Sequence, residues 1–310
     1  MTILSGRVTE CAYAKINTFL TVTGRRENGY HELLSHMQAL TLHDTLTMSW
    51  QAADGDDLLV TLRCDDPELP CDEGNLIARA ARALWAYRKL QGKMFGGTLD
   101  VDLQKQIPMA AGLAGGSADA AATLRGFNAL LGSPLNDAQL CDIGASIGAD
   151  IPFCLCSTAS PAMTARGIGD VLSPTTPLPQ HCSMVVACDG GGVSTPWAFR
   201  RLDELGEGLS EKQAETAYQD LSSALLSGEL SRIAPYAYNC FEAIVLPERP
   251  AARALMHAMT EKGAIFSRMS GSGPSVVGYF DNEDQAAACA DELLARGVRA
   301  YVTKPLPEKN

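Results

Sequence analysis

The segment PMAAGLAGGSADAAATL, residues 108–124, carries residue types that bind phosphate. Gly112, Gly115 and Gly116 form a bare loop, and Ser117 stands where the alanine-rich sequence begins to favour a helix. The first N–H groups of a helix lack partners within it, and the helix dipole adds about half a positive charge there. Glycines let phosphate approach the backbone where a Cβ would clash. The segment predicts an anion site, in which the Ser117 hydroxyl could cap the helix, bind phosphate or reach a metal.

The spacing of this loop leaves a second interpretation open. The loop lacks the lysine-containing P-loop pattern GxxxxGK[ST] and the dinucleotide pattern GxGxxG. A glycine turn that only allows a helix to pack closely on a strand would have the same composition. The loop alone therefore does not decide between an anion site and a packing turn.

A predicted strand over residues 11–24 presents further polar side chains. In AYAKINTFL, the side chains of Tyr13, Lys15 and Asn17 share one face by period-two alternation. A turn at Asn28-Gly29 follows, and two strand-like stretches come after it. This pattern predicts that Lys15 and Asn17 can serve the same site.

The elements around the glycine loop follow from periodicity. Residues 75–91 have helical spacing, with Asn75 in the N-cap position. Residues 96–108 alternate as a strand that leads into the loop. Helices are predicted over residues 117–131 and 136–147. The loop thus joins a strand to a helix, as an anion site at a helix N-terminus requires.

The second half of the chain predicts a different arrangement. Around residues 157–170 the sequence turns to Ser, Pro, Thr and Gly, which places a domain boundary between 1–160 and 161–310. Beyond it, SMVVAC reads as a buried strand, and residues 211–231 and 250–262 read as helices. The closing β-β-α-β order predicts an α+β domain with helices on one face of an antiparallel sheet.

Composition restricts the function classes. The 310-residue chain is 46% hydrophobic and 20% charged, and its net charge of −11 disfavours a broad nucleic-acid surface. No apolar run is long enough to cross a bilayer, and the N-terminal sequence lacks a signal-peptide layout. We therefore expect a cytoplasmic protein that binds neither membrane nor nucleic acid. Its oligomeric state is not predicted.

The ten cysteines include no C-x-x-C pair. Cys154 and Cys156 are predicted to point to one face of a strand. Because the spacing of metal sites is missing, we expect reduced thiols that pack as small core hydrophobes. No metal-binding residues are predicted.

Three segments together resemble the GHMP kinase superfamily, which includes galactokinase and the homoserine and mevalonate kinases. These segments are AKIN at 14–17, PMAAGLAGGSADAA at 108–121 and RMSGSGPSVVGYF at 268–280. The resemblance implies an α+β fold of two domains. Residues 1–160 would be an ATP-binding domain similar to domain 2 of ribosomal protein S5, and residues 161–310 a ferredoxin-like domain.

Two further segments resemble superfamily members with one particular substrate. GRRENGYHELLSHMQALTLHDTL at 24–46 and GASIGADIPFC at 144–154 are similar to members that act on 4-diphosphocytidyl-2-C-methyl-D-erythritol. The resemblance implies transfer of phosphate from ATP, with Mg²⁺, to the 2-hydroxyl of that compound, in the non-mevalonate route to isoprenoid precursors. Two alternatives remain: a kinase for another small alcohol such as homoserine or mevalonate, and a non-catalytic ligand sensor on the same fold.

The resemblance also implies catalytic roles. Asp150 would be the base that accepts the proton of the attacking hydroxyl, and Lys15 would stabilise developing charge and keep Asp150 ionised. Without the resemblance, the local sequence would favour a turn or helix cap for Asp150 and a solvated strand residue for Lys15.

The resemblance assigns two sets of binding residues. For ATP these are Asn75 and Leu76 near the adenine, Lys105 near the phosphates, and the loop itself, namely Pro108, Met109, Ala110, Ala111, Gly112, Leu113, Ala114, Gly115, Gly116 and Ser117. For the substrate they are Asn17, Tyr30, His31, Asp150, Thr195, Gly271, Ser272 and Gly273.

Each binding assignment has a plainer alternative. Asn75 would serve equally as a simple helix cap, Lys105 as an exposed strand residue, and Tyr30 with His31 as a surface loop.

The chain departs from the family pattern at two places. Ala118 replaces a common serine, which leaves Ser117 as the only hydroxyl at the start of the helix, so the ligands of Mg²⁺ are not predicted. The segment STASPAM at 157–163 replaces an expected glycine-rich stretch.

Overall fold

The computed structural model describes residues 6–92, 96–188 and 190–308. Its strands are β1 (Gly6–Arg25), β2 (His31–Ala53), β3 (Leu58–Cys64), β4 (Gly96–Gln104), β5 (Ala162–Arg166), β6 (Val171–Pro174), β7 (Ser183–Cys188), β8 (Tyr238–Asn239), β9 (Phe266–Met269), β10 (Val276–Phe280) and β11 (Arg299–Thr303). Its helices are α1 (Leu76–Leu90), α2 (Gly115–Leu130), α3 (Asp137–Ala145), α4 (Ile151–Cys156), α5 (Thr195–Leu205), α6 (Glu211–Ser227), α7 (Leu230–Ile233), α8 (Glu242–Glu248), α9 (Pro250–Glu261) and α10 (Glu283–Ala295).

The chain divides into two compact units. Unit 1 comprises Met1–Ala14, His43–Ile107 and Ala114–Thr158, and unit 2 comprises Lys15–Leu42, Pro108–Leu113 and Ala159–Asn310. The long strands β1 and β2 each contribute residues to both units. The predicted division into domains 1–160 and 161–310 stays a prediction.

Unit 1 packs helices on a mixed sheet. The second half of β2 pairs antiparallel with β4, and β3 pairs parallel with β4. From Leu40 to Trp50, every second residue of β2 is buried, and the Trp50 ring lies 5.3 Å from that of Phe127 on α2. This alternation is the period-two signal that the sequence shows, since one face of the strand meets the helices.

Unit 2 contains a separate four-stranded sheet in the order β11-β7-β10-β9, with every neighbouring pair antiparallel. Helices α9 and α10 pack on it, and their residues Met259 and Leu293 share one hydrophobic core with Val185 and Val276 of the sheet. The predicted α+β class is confirmed. Besides this sheet, the first half of β2 pairs with β5, and β1 pairs with β8.

One sequence-based assignment was wrong. Cys154 and Cys156 do not lie on a strand but on the short helix α4. Every residue from Ile151 to Leu155 is buried, and periodicity cannot separate a short buried helix from a buried strand. Pro152 in the first turn of the helix is the signal that favours the helix.

His36 on β2 makes the stability of the fold dependent on pH. Its ring is buried, Nε2 lies 3.0 Å from the carbonyl oxygen of Thr176, and Nδ1 has no partner among the described residues. Burial lowers the pKa of His36 to about 4, although the carbonyl contact opposes this shift. The unfolded chain therefore binds a proton first as the pH falls below the ordinary value for histidine.

Because of His36, the free energy of unfolding should fall by about 2 kcal/mol when the pH is lowered from about 7 to about 5. Denaturant unfolding at the two pH values measures the difference. In His36→Gln, whose amide still donates to Thr176, the difference should shrink by that amount. An unchanged difference in the variant would contradict this role of His36.

Candidate active site

The first part of the glycine loop, residues 108–113, is locked within unit 2. Gly112 has φ +77°, and a Cβ at this position would overlap the carbonyl oxygen of Ser270. The Ser270 hydroxyl donates to the Gly112 carbonyl at 3.1 Å, and the Lys15 N–H donates to the Leu113 carbonyl at 3.0 Å. The loop is thus hydrogen-bonded both to β1 and to a second glycine-containing loop, residues 270–273. Pro108, Ala111 and Leu113 are buried, whereas Met109 and Ala110 are exposed.

The second loop, residues 270–273, is held by a buried asparagine. Asn239 donates to the carbonyl oxygens of Met269 at 2.8 Å and Gly271 at 2.9 Å. The hydroxyl oxygens of Ser272 and Thr195 lie 3.0 Å apart, at the start of α5. Unit 2 therefore brings together Thr195, both glycine-containing loops and Lys15, which come from four separate parts of the sequence.

Gly112→Ala should be destabilising and should also weaken ATP binding. Holding alanine in the left-handed φ would cost about 1–2 kcal/mol of folding free energy. The overlap of its Cβ with Ser270 would cost about 1–3 kcal/mol more. Displacement of the loop should raise KM for ATP by about tenfold or more. Gly228→Ala is the matched control, because Gly228 has φ +70° and open space around its Cβ position. If the two variants behave alike, the contact with Ser270 does not matter.

The predicted anion site is the N-terminus of α2, in unit 1. Ala114 precedes the helix with φ +57°, and in the part of the chain that the structure describes no side chain caps this end. The first N–H groups, from Gly115 to Ser117, have no partner within the helix, as an anion site at a helix start requires. Gly115 and Gly116 also serve packing, because their Cβ positions would lie 3.0 Å from Ile107 and 3.3 Å from Leu76. The packing interpretation of these two glycines is supported, and the anion site stays a prediction.

Asp150 belongs to a turn that passes this helix end, within unit 1. It precedes α4 in the N-cap position, but its side chain makes no capping hydrogen bond within the described residues. A Cβ at Gly148, two residues earlier, would lie 4.0 Å from the Ser117 hydroxyl oxygen. The half-buried Asp150 is therefore on a turn that runs past the start of α2. The plain interpretation of Asp150 as a helix cap gains no support.

Asn75, by contrast, does cap a helix. Its side chain accepts from the N–H of Ile77 at 2.9 Å and donates to the carbonyl of Pro70 at 2.8 Å. The next residue, Leu76, reaches Gly116 at the start of α2. The predicted contact of Asn75 and Leu76 with adenine stays a prediction.

Lys105 forms a buried ion cluster just below the N-terminus of α2. Its side chain is 5% exposed; its ammonium pairs with Asp44 and lies 3.1 Å from Asp119. Although burial opposes the charged form, Asp119 and Asp44 raise the pKa of Lys105 above its ordinary value. Asp44 also accepts from the N–H groups of Gln106 at 2.6 Å and Ile107 at 2.8 Å. Lys105 is thus not an exposed strand residue; it helps to fix the turn before the loop.

Lys105→Met should lower the free energy of unfolding by about 3–5 kcal/mol, because it leaves two buried carboxylates without a countercharge. Denaturant unfolding measures this loss. Lys89→Met is the matched control: it removes an exposed ion pair with Asp56, which water screens, and should leave stability nearly unchanged. A loss equally small for Lys105→Met would show that the buried cluster contributes little to stability.

Lys15 and Asn17 do lie on one face of β1, where their side chains meet. The Lys15 ammonium donates to Asn17 at 2.8 Å, Asn17 donates to Ser35 at 2.8 Å, and Ser35 donates to the Phe19 carbonyl at 2.7 Å. All three polar side chains are buried. The chain of hydrogen bonds fixes the direction of the ammonium, so the plain interpretation of Lys15 as a solvated strand residue is wrong.

Tyr30 and His31 follow the turn between β1 and β2. Tyr30 is 58% exposed, whereas the His31 ring stacks on Phe199 of α5 with centroids 4.6 Å apart. Nε2 of His31 lies 2.8 Å from Asp203, which also pairs with Arg25 at 3.1 Å. A carboxylate only accepts, so Nε2 carries the hydrogen and Nδ1 is the ring's other hydrogen-bonding atom.

Sequence reasoning did not predict Phe199 and Asp203. Together with Thr195 they recur every four residues along α5, which puts the three on one face of that helix. That spacing is the signal that could have found them once Thr195 was a candidate.

Comparison with known proteins agrees with this geometry. The family described as GHMP kinases N terminal domain matches residues 75–158, and GHMP kinases C terminal matches residues 197–299. The chain therefore belongs to the GHMP kinases, with a mixed α+β fold.

Relatives that match nearly the whole chain identify one family within the GHMP kinases. The 4-diphosphocytidyl-2-C-methyl-D-erythritol kinase of Gloeobacter violaceus is 37% identical over 94% of this chain and 92% of its own length. The 4-diphosphocytidyl-2-C-methyl-D-erythritol kinase of Acaryochloris marina is 35% identical over 91% of this chain and 90% of its own length. A crystal structure of 4-(cytidine 5'-diphospho)-2C-methyl-D-erythritol kinase is 30% identical, with a TM-score of 0.76 over 97% of this chain and 100% of that one. Within the GHMP kinases, the chain belongs to the family of 4-diphosphocytidyl-2-C-methyl-D-erythritol kinases.

More distant structures show the fold alone. A homoserine kinase from Cytophaga hutchinsonii has a TM-score of 0.71 at 18% identity, over 98% of this chain and 96% of that one.

Among the described residues, none of the helices is both long and apolar enough to span a membrane.

Proposed function

We propose that this chain transfers the γ-phosphoryl group of ATP to the 2-hydroxyl of 4-diphosphocytidyl-2-C-methyl-D-erythritol. One observation carries the proposal: in unit 1 the uncapped, glycine-rich start of α2 lies beside the turn that presents Asp150. An anion site next to a carboxylate is what transfer of phosphate to an alcohol requires. Membership of the kinase family supports the choice of substrate.

The N-terminus of α2 and the loop before it are the proposed phosphate site. The N–H groups of Gly115, Gly116 and Ser117 would bind phosphate oxygens, and the helix dipole would favour their negative charge. The Lys105 cluster positions the turn that leads into this site, since its partner Asp44 holds two backbone N–H groups. Lys105 would then act on ATP mainly through that turn.

Asp150 is the proposed general base. Its carboxylate would accept the proton of the 2-hydroxyl as the oxygen attacks the γ-phosphorus in line. Lys15, whose direction is fixed by Asn17, would stabilise the negative charge on the transferring group. Positioning and electrostatics would supply most of the rate enhancement, as is general for phosphoryl transfer.

The cytidine end of the substrate is assigned to Tyr30 and His31. The exposed Tyr30 ring can stack on a base. Because Asp203 accepts from Nε2, the orientation of the His31 ring is fixed and Nδ1 is its second hydrogen-bonding atom. Thr195 and the loop of Gly271, Ser272 and Gly273 would contact the remaining polar groups of the substrate.

Mg²⁺ is proposed to enter with ATP. No cluster of three or more histidine, cysteine or acidic side chains suited to a metal occurs in the described ranges. The Ser117 hydroxyl, at the start of α2, would hold the ion together with phosphate oxygens of ATP, as a Ser or Thr does in P-loop enzymes. When bound, the ion would neutralise charge on the phosphates. The reaction would take place in the cytoplasm.

An ADP-release assay with a panel of alcohols tests this function. With 4-diphosphocytidyl-2-C-methyl-D-erythritol, release should be fast, whereas homoserine and mevalonate should give little more than the rate without acceptor. Faster release with another alcohol would reject the substrate. ATP binding without turnover of any alcohol would favour a ligand sensor.

A further inference from the structure

Cys141 and Cys156 face each other in unit 1. Cys141 lies on α3, Cys156 is the last residue of α4, and their sulfurs are 3.6 Å apart. Both are reduced and half-buried, so a small oxidant can reach them. A disulfide needs the sulfurs about 2 Å apart, which small side-chain rotations and a slight approach of the helices would provide.

The pair is chemically suited to oxidation. A hydrogen bond from Cys141 lowers the pKa of Cys156 to about 7, against the opposing effect of burial. The same contact raises the pKa of Cys141. A lowered pKa raises the share of thiolate, the reactive form, at Cys156. Cys141, with its sulfur 3.6 Å away, is in place to complete a disulfide.

We propose that hydrogen peroxide closes Cys141 and Cys156 into a reversible disulfide, and that closure slows phosphoryl transfer by displacing the turn that holds Asp150. The second half rests on the proposed function of Asp150. The reaction balances without a further reactant. The Cys156 thiolate attacks a peroxide oxygen, the O–O bond breaks, and hydroxide leaves as water after taking a proton. The Cys141 sulfur then attacks the sulfenic acid, the S–O bond breaks, and a second water leaves.

The position of the pair links it to the turn at 146–150, which lies in the segment that the disulfide would close. Gly144 of α3 already abuts Ile151 of α4, since a Cβ at Gly144 would lie 2.7 Å from it. Because the helices already touch at Gly144 and Ile151, we expect the slight approach that the sulfurs need to shift α4 and with it the turn before it. Because shifts of about 1 Å in a catalytic group cost up to about a hundredfold, we expect kcat to fall by about tenfold.

The test treats the reduced full-length chain with hydrogen peroxide, alkylates the remaining thiols and identifies peptides by mass spectrometry. The expected product is a cross-linked peptide pair containing Cys141 and Cys156, lighter by about 2 Da, the two hydrogens lost. Dithiothreitol should restore both thiols and the rate. Cys141→Ser and Cys156→Ser should keep the reduced rate and lose the response, whereas Cys71→Ser, which removes an exposed cysteine, should respond as the unaltered chain does.

Two results would overturn the proposal. One is that Cys141 and Cys156 both stay alkylatable at a peroxide dose that oxidises Cys71. The other is that the disulfide forms, but the oxidised chain has the same rate and the same deuterium uptake at residues 146–150 as the reduced chain. Peptide mass and deuterium uptake need no turnover, so they decide the matter even if the reduced chain lacks the proposed activity.

Discussion

Asp150→Asn should lower kcat by about a hundredfold to ten-thousandfold, the usual contribution of a general base. Asparagine has nearly the shape of aspartate, but its amide cannot accept the proton of the attacking hydroxyl. KM for ATP should change little, because the proposed phosphate site is the N-terminus of α2 and not this side chain. The ADP-release assay with 4-diphosphocytidyl-2-C-methyl-D-erythritol measures both constants.

The control for this variant is Asp142→Asn, which makes the same chemical change at an exposed position on neighbouring α3. It should retain the unaltered rate. Equal thermal stability of the two variants would show that the loss is chemical. A fully active Asp150→Asn would remove Asp150 from the mechanism and leave the substrate assignment in place.

Lys15→Met should lower kcat by about a hundredfold to a thousandfold, the loss seen when one fixed donor to transition-state charge is removed. Methionine keeps most of the length of the side chain but not its charge. Removal of the ammonium also leaves Asn17 without its donor in a buried place, at about 1–3 kcal/mol of stability. Activity must therefore be compared at a temperature where the variant is fully folded.

Lys15→Arg separates charge from geometry. It restores the charge, but its planar fork cannot reproduce the single 2.8 Å bond to Asn17. We expect it to recover only part of the rate. A Lys15→Met variant as active as the unaltered chain would show that positive charge at this position does not stabilise the transferring group.

Local patterns predicted much of the fold. Asn75 was expected to cap a helix over 75–91, and α1 runs from Leu76 to Leu90 with that cap in place. The alternation around Lys15 and Asn17 put both on one face, and they are hydrogen-bonded. These features depend on neighbours two to four residues apart, which periodicity reports directly.

Contacts between distant residues could not be predicted in this way. The burial of Lys105 depends on Asp44, 61 residues away, and that of His31 on Asp203, 172 residues away. Period and propensity carry no information about which distant carboxylate a cation will meet. The same is true of Cys141 and Cys156, since the helix that carries Cys156 was predicted as a strand.

The most direct test of the proposed reaction is the ³¹P NMR spectrum of its product. Carbon 2 of 2-C-methyl-D-erythritol bears a methyl group and no hydrogen, so a phosphate on its oxygen has no proton three bonds away. After incubation of the chain with ATP, Mg²⁺ and the substrate, we predict a new phosphomonoester signal without that coupling. A coupled signal would place the phosphate on another hydroxyl, and ADP without any new phosphomonoester would mean that the chain does not phosphorylate this substrate.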